Sequence, residues 1–217
     1  MPAKSVLANA TVITGHFFDY FQVYLKFGMT VKRTHVLKTA LSLFHREGFS
    51  NVGVDRIVAE SNTAKMTFYK YFPTKIRLIE ECLKLESLTI QNSLNTLLVK
   101  SNTLDPLQKL QAIYKWHYEF VQTDSFNGSL FHKAAGTFLP EDGSIFEIID
   151  QHKKWQFNLI KQQLVEFEVK QPEVLGSLLV NMLDGMLSNA RDDHLVFNGT
   201  WPLLEAILMC HKTGLCS

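Results

Sequence analysis

No run of about 18 consecutive apolar residues occurs in this 217-residue chain, which excludes a membrane-spanning helix. The aromatic N-terminal stretch is broken by Asn9, Thr11, Thr14 and His16, so it lacks the uninterrupted apolar core of a signal peptide. Cysteine is scarce. Cys82, Cys210 and Cys216 are odd in number and have no Cys-x-x-Cys spacing, which argues against a zinc finger or a disulfide framework and fits a reducing cytoplasm. Also missing are a Gly-rich phosphate loop, a Gly-x-Ser-x-Gly elbow and a His-Glu-x-x-His pair. A small helical enzyme would need one of these or an equivalent constellation. No acidic or basic tail is present, and 22 Lys and Arg against 21 Asp and Glu leave a net charge of +1.

The distribution of charge is more informative than its sum. Residues 30–84 hold ten Lys or Arg against five Asp or Glu, a net of +5, whereas residues 85–217 hold ten against fifteen, a net of −5. A basic module suited to a polyanion is thereby joined to an acidic one. At 46% hydrophobic the chain can bury a sizeable core. Its patterning is helical throughout, with no strand alternation, so the expected fold class is all-α. Val36, Leu37, Ala40, Leu41, Leu43 and Phe44 keep a 3.6-residue rhythm that ends at Gly48, which predicts a first helix over 31–47. A short second helix carries Val54, Ile57 and Val58 inward. After the turn Ser61-Asn62-Thr63-Ala64, a third helix over 65–71 is stopped by Pro73. Thr74 is placed to cap a fourth, and Asp105 with Pro106 opens a fifth. Further helices are expected before Pro140, over 144–169, from Pro172, and from Trp201.

Three short helices in the basic region, the second and third separated by about four residues, have the layout of a helix-turn-helix. Phe68 and Phe72, at i and i+4, share the side that packs inward. Lys65, Met66, Thr67, Tyr69, Lys70 and Tyr71 spread around the rest. Lys65 and Thr67 suit base edges, Met66 offers apolar contact, and Lys70, Lys75 and the tyrosine hydroxyls suit phosphates. These seven are the candidate DNA-binding residues.

Residues 35–83 resemble the DNA-binding domain of the TetR family of bacterial transcriptional regulators. The resemblance lies in Leu43-Phe44, Gly48-Phe49, Ile57, Tyr69 to Phe72, and then Thr74 and Lys75. The chain departs from the family pattern in the turn, where Asn62 stands in place of Gly and Ala64 lacks a capping oxygen, and at the bulkier Met66. The resemblance implies three regions: an N-terminal extension over 1–28, disordered or untranslated, with Met29 an alternative start; a helix-turn-helix domain over 29–76; and a larger helical effector-binding and dimerisation domain over 77–217. It further implies a homodimer on a palindromic double-stranded operator and a repressor released by a small molecule, with no cofactor and no metal. A DNA-organising protein without an effector is the alternative. Candidate lining for a ligand is Trp116, His117, Phe120, Phe131, His132 and Trp155, aromatic and imidazole side chains of the sort that surround apolar ligands. Leu179, Met182, Leu183, Met186 and Leu187, with Leu203, Leu204, Ile207 and Leu208, form apolar faces that serve either two-fold pairing or the chain's own core.

Overall fold

A computed structural model describes residues 30–100, 105–123, 126–141, 143–188 and 200–214. The extension over 1–28 lies outside the described residues. The described residues are all-α and form nine helices: α1 Val31–Glu47, α2 Val54–Glu60, α3 Lys65–Tyr71, α4 Lys75–Lys100, α5 Pro106–Val121, α6 Leu130–Thr137, α7 Gly143–Glu166, α8 Pro172–Ser188 and α9 Thr200–Thr213. None is long and apolar enough to cross a membrane. The described residues divide into two compact units, the first made of those up to 93 with those in 129–149 and the second of those in 94–128 with those from 150 onward.

The first unit is built on α1. Thr30 caps its start by accepting from the Arg33 amide, and Gly48, at φ 78, returns its N–H to the Phe44 carbonyl. His45 and Arg46 stand in the last turn, where positive charge suits the helix dipole. Val36, Leu37, Ala40, Leu41, Leu43 and Phe44 are all buried against Ile57, Phe68, Phe72, Leu78, Ile79 and Leu83. Each large apolar side chain removed from water contributes about 2 kcal/mol, so this cluster holds three short helices that would not persist alone. Phe44 and Phe49 meet with ring centroids 4.9 Å apart, and Phe49 reaches Phe138 at 5.5 Å. That contact and the buried Leu130, Phe131 and Ala134 bring α6 into the same core. Lys133 adds a hydrogen bond from Nζ to the His45 carbonyl.

In the second unit α5 packs against α8 and α9. The α5 start is a full capping box, in which Asp105 accepts from the Gln108 amide and Gln108 accepts from the Asp105 amide, with Pro106 at the first position. Leu110, Ile113, Tyr114 and Trp116 bury inward with Ile160, Leu164, Leu175, Leu179, Leu183, Met186, Trp201, Leu204 and Leu208. The apolar faces of α8 and α9 therefore divide. Leu179, Leu183, Met186, Leu204 and Leu208 are core of the chain itself, while Val174, Leu178, Leu203 and Ile207 are exposed. Gly176 lets α8 approach α7, since a Cβ there would stand 3.1 Å from the Phe157 ring. Helix α7 stops at Glu166, three residues before the expected Val169, because Glu168 turns left-handed at φ 63. Cys210 is disulfide-bonded, where the odd number and spacing of the cysteines argued against a disulfide framework, whereas Cys82 is a buried free thiol.

Candidate nucleic-acid interface

The turn between α2 and α3 sets the site. Asn62 adopts φ 46, and its N–H reaches the Ala59 carbonyl at 3.2 Å while that of Thr63 reaches Val58 at 3.1 Å. An Asn tolerates this left-handed geometry better than most side chains. Helix α3 starts without side-chain capping at Ala64, as its missing oxygen implied, and the Thr63 hydroxyl donates instead to the Ser61 carbonyl. At the other end Phe72 is forced extended, φ −133 and ψ 91, ahead of Pro73, yet its N–H still closes on the Phe68 carbonyl.

Two rings anchor α3: Phe68 and Phe72 are buried, with centroids 5.9 Å apart. The opposite side is open. Lys65 and Lys70 are exposed, Met66 is 83% exposed and Tyr69 42%, with Thr67 half-buried beside them. Tyr69 is braced edge-on against Phe68 at 5.3 Å, which fixes where its hydroxyl points. The other two candidates, Tyr71 and Lys75, are half-buried and make contacts within the chain. Tyr71 is half-buried against the core, and its hydroxyl accepts from Thr30 at 3.3 Å. Lys75 donates from Nζ to the Phe49 carbonyl at 2.6 Å, and partial burial lowers its pKa. Its Nζ is thus held on that backbone carbonyl.

Charge on the open side is modulated by a residue the sequence reading did not single out. Asp55 of α2 lies 2.6 Å from Lys65 Nζ, and the hydrogen bond followed by the charge raises the lysine's pKa. Ten residues and a turn separate the two, so no helical spacing announces the pair. Lys70 makes no ion pair among the described residues. Arg56 is fully engaged, bound to Glu47 through both carboxylate oxygens and to Glu60 at 3.0 Å. Arg33 pairs with Glu81 at 3.0 Å.

The six ligand candidates fall in both units. Phe131 and His132 belong to the first unit, Phe131 in its core and His132 half-buried. Trp116, His117, Phe120 and Trp155 belong to the second. There the Trp116 and Phe120 rings stack at 5.4 Å, and Phe126 meets Phe120 edge-on at 5.2 Å. His117 is buried between two partners: Nδ1–H donates to the Ile113 carbonyl at 2.9 Å, and Nε2 accepts from Gln156 at 3.3 Å. Burial outweighs the backbone hydrogen bond and Asp184, lowering its pKa to about 4, so the ring is neutral at pH 7. Trp155 is half-buried, 5.8 Å from His152. Sequence reading missed His152, Gln156 and Gln163, which are buried on the inner strip of α7. The signal was present, because these polar residues share helical spacing with Ile145, Ile149 and Ile160.

A short helix anchored on one aromatic side, following a tight turn and open on a basic side, defines a helix-turn-helix protein. Residues 36–82 match the family described as "Bacterial regulatory proteins, tetR family". The chain is 27% identical over 159 residues to the HTH-type transcriptional regulator YjdC of Escherichia coli K12, covering 73% of this chain and 82% of that protein. Its fold is similar to that of SCO4454, a TetR-family regulator from Streptomyces coelicolor, with a TM-score of 0.75 at 22% identity over 83% of this chain and 96% of the other. It is also similar to a regulator from Saccharomonospora viridis solved in complex with choline, with a TM-score of 0.63 at 18% identity over 82% and 95% of the two chains. Residues 36–82 thus resemble the DNA-binding region of that family, and the fold of the chain is similar to that of TetR-family regulators.

Proposed function

We propose that this protein is a dimeric, sequence-selective DNA-binding repressor that is released when a small molecule binds its second unit. The observation that carries the DNA-binding part is the two-sidedness of α3, with Phe68 and Phe72 buried and Lys65, Met66, Tyr69 and Lys70 exposed. Lys65 and Thr67 read base edges, Met66 makes apolar contact in the groove, and Tyr69 with Lys70 reaches phosphates. Pairing of two copies is supported by the apolar residues α8 and α9 leave outside, namely Val174 and Leu178 at i and i+4 and Leu203 and Ile207 at i and i+4. A two-fold dimer presents two copies of α3 to half-sites one helical turn or more apart. The choline complex of the Saccharomonospora viridis regulator supports a small-molecule effector here. An effector acts by binding one dimer geometry better than the other.

The test is binding of the purified full chain to the DNA upstream of its own gene and to random DNA, at fixed salt near 0.15 M. Selective binding by a dimer is expected. Equal binding to both DNAs would favour the DNA-organising alternative.

A further inference from the structure

The buried polar residues of the second unit point to the chemical class of its ligand, and this inference rests on the reading of that unit as the effector-binding part. His152, Gln156 and Gln163 stand four and seven residues apart on α7, which places them on one strip of the helix. All three are buried, at 8%, 4% and 4% exposure, in a core otherwise lined with apolar and aromatic side chains. Gln156 is answered by His117. Gln163 is not: its side-chain oxygen is buried and no donor among the described residues reaches it. Leaving a buried acceptor unmet costs about 1–3 kcal/mol, so a chain that retains one holds an acceptor ready for a donor from elsewhere.

The same unit restricts what else that donor can carry. Among the described residues its buried polar side chains are His117, His152, Gln156 and Gln163, with no Lys, Arg, Asp or Glu. Asp184, a half-buried carboxylate, is already paired with Lys153 at 3.2 Å. A charged ligand entering this interior would lose its hydration without gaining an opposite charge. We infer that the effector is an uncharged molecule with an apolar body and a hydroxyl or N–H group that donates to Gln163 Oε1 in the second unit.

Four probes of the full-length protein separate this from its rivals: phenol, which is neutral and a donor; anisole, a similar ring without a donor; benzoate, an anion; and choline, a cation. Binding is followed by tryptophan fluorescence and calorimetry on the wild type and on Gln163→Leu, without DNA. Phenol should bind most tightly, and its affinity should fall about tenfold in Gln163→Leu, the value of one neutral hydrogen bond, while anisole is unaffected. The ligand-free variant should also melt at a higher temperature than the wild type, since its unmet acceptor is gone. Equal binding of phenol and anisole, tighter binding of benzoate or choline, no binding of phenol at all, or a lower melting temperature in ligand-free Gln163→Leu would overturn the proposal. Because these titrations contain no DNA, their failure is distinct from failure of the operator assay.

Discussion

The first unit buries two carboxylates, Glu80 and Glu86, each facing a polar side chain, while the second buries imidazoles and amides and leaves Gln163 Oε1 and His211 Nδ1 without a partner among the described residues. Burial raises the Glu80 pKa, but hydrogen bonds from Ser144 and Arg77, at 2.6 and 2.8 Å, outweigh it and hold the carboxyl below its ordinary value. Glu86 faces His45 Nε2 at 3.3 Å. A buried charge tolerates little rearrangement, because losing one partner leaves it uncompensated. Neutral amides and imidazoles lose less when a partner is exchanged. On the proposed reading, the contrast suits one unit that holds a fixed geometry against DNA and another that accommodates an incoming molecule.

The largest expected effect comes from removing the α3 anchor. Phe68→Ala should cost about 3–5 kcal/mol in urea denaturation, because the ring is fully buried. A loss below about 1 kcal/mol would mean that the first unit is not held by that ring. Next in size is an acid response located in the second unit. His117 binds no proton until about pH 4 in the fold but near 6.5 when unfolded, so the unfolded chain binds more protons between these values. Its contribution is therefore complete above pH 6.5 and lost as pH falls toward 4, by up to about 3 kcal/mol. Melting temperatures across that range should show a slope that His117→Leu flattens. An unchanged slope would assign the acid response to other groups.

A smaller effect belongs to the turn. Asn62→Ala should destabilise by about 1–2 kcal/mol, the cost of the left-handed conformation, whereas Asn62→Gly should not. Equal behaviour of the two variants would remove the turn from the account. The smallest effect is Lys70→Ala, which should weaken binding to all DNA alike and reduce the slope of log K against log salt by about 0.9. Lys65→Ala and Thr67→Ala should instead change sequence preference. Uniform weakening by all three would defeat the division between base reading and phosphate contact.

Much of the first unit was legible because its information is local. The bounds of α1 and α3, the halt before Pro73, the capping by Thr74 and the turn at Asn62 all follow from residues within a few positions of one another. What escaped depends on distant partners. The Lys75 bond to Phe49 spans 26 positions and that of Tyr71 to Thr30 spans 41, so no periodicity separates these side chains from exposed ones. In the second unit the search for large aromatic residues overlooked glutamines on an apolar face. Likewise α8 and α9 each have two apolar sides, and only the packed fold assigns Leu179 to the interior and Leu178 to the outside.

Asp55 gives the recognition surface a counterweight. Its carboxylate holds Lys65 Nζ at 2.6 Å on the side of α3 proposed to face DNA. A polyanion approaching that side must compete with the Asp55 carboxylate for the lysine. A cognate base edge repays the exchange with a directed hydrogen bond, whereas a mismatched base edge does not. On the proposed reading, Asp55 shortens the time spent on each wrong site more than on the right one, which quickens the search of a genome in which nearly every site is wrong.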